Sequence, residues 1–395
     1  MGAKAKVLHI VTKMVQCGGA SLTVKLAAEA QSATGSPFEA ALAHGVIGTD
    51  EDALEVADRV SVFHIPDLVR EIAPWRDRRG LQQLREVIRQ YQPDVVHTHS
   101  SKAGVLGRTA ARAEGVPLIV HHVHGWGFHD AMPAAKRSLY VHIERRMARR
   151  CDALLMVAQA DVEIARRYRI GQPHQWRIIR SGIEVDDFPA TSPQRRERAR
   201  KLLGLPADRF VVGTVAQMRP QKSPLDFVGV AARVAREAPE ATFVWVGDGQ
   251  MRAQVEAAVQ GAGLQDRFLL TGSRDDVQDL YPAFDVFLLT SLWEGLPRTV
   301  VEACVVGVPV VATSVAGTAE AIRDGHNGLL APTGDVEGLA GRVLELRARP
   351  DLCATLCANA ATARDEFSIA RSLADLERLY LELLAAKTEG ARDGG

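Results

Sequence analysis

"SGIEVDDFPATSPQRRERARKLLGLPADR", residues 181–209, is polar, charged and broken by prolines, and it divides a 395-residue chain into two nearly equal parts. Before it, short β-branched and apolar runs alternate with amphipathic stretches. "KVLHIVT" (6–12), "DVVHTH" (94–99), "PLIVHHVHG" (117–125) and "ALLMVA" (153–158) read as buried strands, with helical patterns at 21–33 and 81–91. After it the pattern restarts with "FVVGTVA" (210–216), "TFVWVGDG" (242–249), "RFLLTG" (267–272), "DVFLLTS" (285–291) and "PVVATS" (309–314). Strand, helix, strand in series predicts a parallel sheet covered by helices on both faces. The chain therefore reads as two α/β domains, 1–184 and 207–365, joined by a linker at 185–206. A final apolar-periodic helix within 366–395 either stays on the second domain or returns to the first.

Lysines plus arginines number 48 and so do aspartates plus glutamates, so nothing draws the chain as a whole to nucleic acid. Five scattered cysteines (Cys17, Cys151, Cys304, Cys353, Cys357) fit a reduced, cytoplasmic protein. Cys353 and Cys357 share a helical face without nearby partners for a metal. The apolar run near the N-terminus is too brief for a signal peptide or a membrane span.

Open parallel sheets bind ligands where strand ends lead into helices. Two such domains facing each other are expected to form one cleft, walled by the loops after the strands. "KMVQCGGAS" (13–21) follows the first strand. Gly18 and Gly19 permit close backbone approach there, and the next helix N-terminus favours an anion; a plain strand-to-helix turn is the bland reading. "QMRPQKSPLDF" (217–227) follows the first strand of the second half. Its Arg219 and Lys222 suit a phosphate, or are solvated charges. In "WEGLPRTVVEA" (293–303) two glutamates flank a Pro-Arg-Thr step. Pro297 suits a first helical turn. Glu302 lies on a helix otherwise built of Val, Ala and Cys; if buried it needs partners, which a polyol ligand would supply, and if exposed it is only solvated.

Histidines gather in the first half: His97, His99, His121, His122, His124 and His129. His97 and His99 fall on one strand face, as metal ligands do. No carboxylate stands in the loop that follows His97 and His99, so no metal is expected. His124, at a strand end before Gly125, is better placed to bond a ligand. In "KRSLYVHIERRMARR" (136–150), Leu139, Ile143 and Met147 recur at helical spacing among six basic residues and one acid, Glu144. The stretch is a candidate for an anionic membrane surface, against the plainer reading of a packed helix with a charged outer face.

Taken together, these residues resemble glycosyltransferase family 4 (glycosyl transferases of group 1), retaining enzymes of the two-Rossmann GT-B fold. Glu294 and Glu302 match the Glu-x7-Glu motif. "GGAS", "HTHSSKAGVLGRTAARAEGVP", "VHGWGF", "SGIEVDDF", "WVGDGQMR", "TGSRDDV" and "GTAEAIRDGHNGLL" carry the likeness along nearly the whole chain. The resemblance implies an acceptor-side first domain and a nucleotide-sugar donor domain second. It assigns Glu294, with Gly295, Leu296 and Pro297, to the donor sugar, and Glu302 to the ribose. Amides at Thr299 and Val300 face the diphosphate with Lys222; His124 contacts the sugar and Gly19, beside Gly18, the diphosphate. Gly247 belongs to the donor side and Arg274 lies near the base. The family arginine five residues before the lysine is Gln217 here, with Arg219 as a stand-in.

The implied partners are a UDP- or GDP-sugar and a hydroxyl on a glycan, a lipid-linked sugar or a small molecule, with no metal cofactor and no nucleic acid. Peripheral contact with the inner face of the membrane through 136–150 stands as the second reading of that stretch, behind the packed helix with a charged outer face. Two other classes share the site: a nucleotide-sugar 2-epimerase, which would convert donor alone, and a non-catalytic binding subunit. The missing dinucleotide fingerprint disfavours a nicotinamide enzyme.

Overall fold

The structure is a computed structural model describing residues 4–15, 19–45, 54–129 and 132–393. It divides into two compact units: Met1–Gly182 with Ile369–Gly395, and Ile183–Ser368.

In the first unit the strands are β1 (Ala5–Val11), β2 (Phe38–His44), β3 (Ser61–His64), β4 (Val95–His99), β5 (Leu118–Val123), β6 (Ala153–Met156) and β7 (Trp176–Ile178). They form one sheet in the order β3-β2-β1-β4-β5-β6-β7, parallel throughout. In the second, β8 (Phe210–Val215), β9 (Ala241–Val246), β10 (Phe268–Gly272), β11 (Val286–Leu289), β12 (Val310–Thr313) and β13 (Leu329–Ala331) run β10-β9-β8-β11-β12-β13, again all parallel. The strand order reverses between β1 and β4 in one sheet and between β8 and β11 in the other. Such reversals open a crevice at the carboxyl ends of the two strands concerned.

The two-domain α/β reading is therefore the architecture found, a pair of doubly wound parallel sheets as in the GT-B fold. Four strands were not signalled. "FEAALAH" of β2 carries three alanines and no β-branched residue, yet all but Glu39 are buried. β3, β7 and β13 have four residues or fewer, too short for a period to show.

The prolines of the dividing segment set up a helix, Pro193–Leu202, whose N-cap Ser192 accepts from the Arg195 N–H. Arg200 bonds Asp285 at 2.8 Å and Arg196 joins the same carboxylate. Asp285 also accepts from the Val211 N–H at the head of β8 at 2.8 Å, so this helix is keyed to the second sheet.

The helix Ile369–Asp393 packs into the core of the first unit through Leu376, Leu379 and Tyr380. Tyr380 stands edge-on to Phe38 with ring centroids 5.6 Å apart.

The basic stretch forms the helix Ala134–Ala148, and its buried residues are Val141, Glu144, Met147 and Ala148. The expected stripe is corrected at its first member, since Leu139 is 53% exposed. Glu144, the one acid, points inward because Arg108, 0% exposed, bonds it at 3.1 Å.

Candidate functional site

In the second unit the loops after β8 and β11 meet at the strand-order reversal. The turn Pro220–Lys222 follows β8, and Ser223 takes a left-handed conformation (φ 43°) before the helix Pro224–Glu237 begins. Such a conformation costs a non-glycine residue about 1–3 kcal/mol and persists only where neighbours enforce it. Thr290, just past β11, enforces it by donating to the carbonyls of Lys222 (2.9 Å) and Ser223 (3.0 Å). The Leu292 N–H reaches the Gln221 carbonyl at 2.7 Å, and the Gln221 amide donates to the Trp293 carbonyl at 2.8 Å.

This stitching brings Lys222 and Glu294 into an ion pair whose side chains are 12% and 7% exposed. Ser291 donates to the same glutamate oxygen at 2.6 Å, and Gln221 approaches the other at 3.4 Å. Gly295 lies against Gly317, where a Cβ would stand 1.3 Å from the Gly295 carbonyl oxygen. Only glycine fits at 317, so the helix Ala316–Ala321 backs the Glu294 loop directly.

Glu302 is buried at 6% exposure on the helix Arg298–Val306, for which Pro297 is the N-cap residue. The protein itself supplies the partners that a ligand was expected to provide: the Tyr281 hydroxyl at 2.6 Å and the Arg298 Nε at 2.9 Å. Burial pushes the Glu302 carboxyl up, against the pull of Arg298 and Tyr281; burial also pushes the Tyr281 phenol well up. The Val300 N–H is engaged by the Pro297 carbonyl at 3.0 Å, while the Thr299 hydroxyl is buried without a partner among the described residues. Leu296 is half-buried and Pro297 buried.

The remaining donor-side residues lie around the same strand ends. Gly247, at φ 130°, has no room for a Cβ, which would meet the Ala216 carbonyl oxygen at 2.2 Å. Its loop is tied to the one before Lys222 by the Met218 N–H to Asp248 carbonyl bond at 2.8 Å. Arg274 forks onto Asp276 at 2.7 and 2.6 Å, which raises the guanidinium pKa. Arg219 and Gln217 are exposed.

In the first unit Gly19 opens the helix Gly19–Gln31, and Gly18 lies outside the described residues. The sheet register places His9 beside His97 and His99 beside His122, so His9, His97, His99, His122 and His124 share one face. His121 points to the other face and meets the Thr98 hydroxyl at 2.9 Å. Hydrogen bonds link the first face in series: Gln31 Oε1 to His9 Nε2 at 2.9 Å, His9 Nδ1 to His99 Nε2 at 3.1 Å, and His99 Nδ1 to His124 Nε2 at 3.1 Å. Tyr380 Oη meets His97 Nδ1 at 2.5 Å. Burial lowers His9 and His124 to about 4, and His97, His99 and His122 well below the ordinary value, so all are neutral at pH 7.

Lys222 and Glu294 thus share one group, Glu302 sits in a second with Tyr281 and Arg298, and His124 belongs to the first unit's histidine face. Sequence reasoning missed Gln221, Ser291, Tyr281, Gly317 and His9. Ser291 and Gly317 stood inside stretches already singled out. His9 is a lone histidine in an apolar strand, and only strand order places it beside His97.

Comparison with known proteins adds the following. The family model for "Glycosyl transferases group 1" matches residues 209–349, and that for "Glycosyl transferase 4-like domain" matches 18–182. The chain is 30% identical over 335 residues to the UDP-Gal:alpha-D-GlcNAc-diphosphoundecaprenol alpha-1,3-galactosyltransferase of Escherichia coli, covering 84% of this chain and 86% of that one. Among solved structures, sucrose-phosphate synthase from Thermosynechococcus elongatus is similar with a TM-score of 0.84 at 22% identity, over 97% of this chain and 100% of that one. Anabaena Alr3699/HepE in complex with UDP is similar with a TM-score of 0.79 at 22% identity, over 95% and 100%.

Proposed function

The chain belongs to the glycosyl transferases of group 1, and from that premise we propose that it moves a sugar, with retention, from a UDP- or GDP-sugar to a hydroxyl of a lipid-linked or other glycan acceptor in surface polysaccharide assembly. The observation that carries this reading is the Lys222–Glu294 pair at the strand-order reversal of the second sheet. A lysine held there by a carboxylate is positioned before any ligand arrives, and a diphosphate is an anion it can neutralise. Glu294 then turns its oxygens to sugar hydroxyls, Glu302 holds the ribose and His124 contacts the sugar. The leaving diphosphate takes the acceptor proton while Lys222 and the helix N-terminus at Arg298 stabilise its charge. No step in this scheme calls on a metal. A UDP donor and a diphosphoundecaprenol-linked acceptor are named for the Escherichia coli relative, which favours uracil and a lipid-linked acceptor.

The test is calorimetry of the protein with UDP, GDP and CDP, with and without EDTA, followed by turnover on lipid-linked acceptors. Binding of one nucleotide and anomer-retaining transfer are expected. Binding without turnover on any acceptor would make the protein a non-catalytic subunit, and conversion of donor alone would make it an epimerase.

Glu302→Gln keeps the shape and removes the charge. It is expected to weaken binding of the preferred nucleotide roughly 10-fold, since a hydrogen bond to a charged group is worth roughly 1.5–3 kcal/mol. Unchanged affinity would remove the ribose assignment.

Membrane contact through the helix Ala134–Ala148 is supported by its exposed Lys136, Arg146 and Arg149 beside Leu139. Ile72, just before the helix Pro74–Tyr91, and Trp75, in its first turn, are 72% and 80% exposed. Both helices follow strands of one parallel sheet, so both start at its carboxyl edge. Among the described residues no helix is long and apolar enough to cross a membrane. Neutralising Lys136, Arg146 and Arg149 to Gln is expected to weaken binding to phosphatidylserine vesicles about 100-fold, at about 1 kcal/mol per basic residue. Equal cosedimentation of variant and parent would reduce the helix to an ordinary solvated one.

A further inference from the structure

We propose that His99, His122 and His124 form a binding site for a zinc-class divalent cation. One ring nitrogen from each lies within 4.8 Å of the others. Hydrogen bonds to carbonyls set their tautomers. The Gln31 carbonyl accepts from His9 Nε2, so His9 Nδ1 accepts from His99 Nε2 and His99 Nδ1 is left with its lone pair. His122 Nε2 donates to the Ile179 carbonyl at 3.3 Å, which leaves His122 Nδ1 as a lone pair. That nitrogen is buried and has no partner among the described residues, in a residue 1% exposed.

His99 and His122 thus each have one nitrogen committed to a carbonyl or to a chain ending in one, and a lone pair on the other, which at His99 accepts from His124. This is the arrangement that orients metal-ligating imidazoles and raises their basicity. His124 Nε2 now donates to His99 Nδ1. Moving its proton to Nδ1 frees the third lone pair with no net proton released. A tetrahedral zinc with bonds of about 2.0–2.1 Å needs the nitrogens about 3.4 Å apart, so the widest separation allowed by the 4.8 Å bound closes by about 1.4 Å.

Among the described residues the site contains histidine only, so they do not balance the charge of the ion. His124 is only partly buried, and on this proposal a water or small anion fills the fourth position from its side. The neighbouring group of His9, His97 and His99 is fully buried and has no such opening.

A consequence rests on the transferase reading. The ion takes the His124 nitrogen assigned to the donor sugar, so metal and donor compete.

Untagged, chelator-stripped full-length protein is titrated with ZnCl2 by calorimetry and with CoCl2 by visible absorption. One equivalent per chain and the d–d bands of tetrahedral cobalt are expected, with affinity lowered at least 30-fold in His122→Leu. His124→Gln, at a less buried position, is expected to lose the same bands, and circular dichroism reports whether either variant is folded. Absence of tetrahedral bands in the parent, or bands retained by both folded variants, would overturn the site.

In the transfer assay, zinc is expected to inhibit the parent reversibly by EDTA and to leave His122→Leu uninhibited. Stoichiometric binding without inhibition would overturn the competition while the site stands. Absence of any transfer would count against the transferase reading and leave the metal titration unaffected.

Discussion

Replacing Arg108 by methionine is expected to cost the first unit about 3–5 kcal/mol, because it leaves the buried Glu144 carboxylate without its cation. At roughly 2–4 °C per kcal/mol for a unit of this size, its thermal midpoint falls by about 6–20 °C. The guanidinium is wholly buried and also donates to the Gly104 carbonyl at 2.7 Å, so no water replaces what is lost. The double variant Arg108→Met, Glu144→Leu removes both charges and is expected to recover most of the loss. Calorimetric melting of the parent, both single variants and the double variant closes the cycle. A single methionine variant melting within a degree or two of the parent would mean that the pair does not brace the two helices.

Lys222→Ala is expected to lower kcat/KM about 10²–10³-fold, the effect of removing one group that stabilises charge developing on a leaving group. The loss should fall mainly on kcat, with nucleotide affinity weakened less, if the lysine acts on the diphosphate as it departs. Ser291 and Gln221 still hold Glu294 in the variant, so the loop is expected to stay in place. Lys222→Arg keeps the charge but replaces a compact ammonium by a planar guanidinium, and should recover part of the rate. A Lys222→Ala enzyme with parental kcat/KM would show that the lysine serves only to hold Glu294.

The division of the chain was legible because Ser181–Arg209 interrupts apolar runs that then begin again, and parallel sheets leave such runs continuous. β2 escaped because its alanines are buried without being strongly apolar, so sheet pairing and not residue type decides its state. Glu294 and Lys222 were each singled out from the motif and from position after a strand. Their pairing was not, since 72 residues separate them and only the adjacency of β8 and β11 brings their loops together. Glu302 was recognised as a carboxylate in need of partners. Tyr281, which answers that need, gave no local sign, being one aromatic residue in an unremarked turn. The charged helix at 134–148 was read with its inward face rotated, because Glu144 was counted with the solvated charges. Its burial depends on Arg108, a residue from a different helix.

The return of the helix Ile369–Asp393 to the first unit makes the second unit an insertion within the first. Synthesis from the N-terminus therefore finishes the inserted unit first. When residue 368 has been made, every strand and helix of the second unit exists, whereas the first still lacks Leu376, Leu379 and Tyr380 from its core. Until those residues leave the ribosome, Phe38 and His97 face an unfilled groove in a unit otherwise ready to close. The first unit thus receives the last pieces of its core only after the whole of the second has been synthesised, and the early turns of the final helix are what complete it.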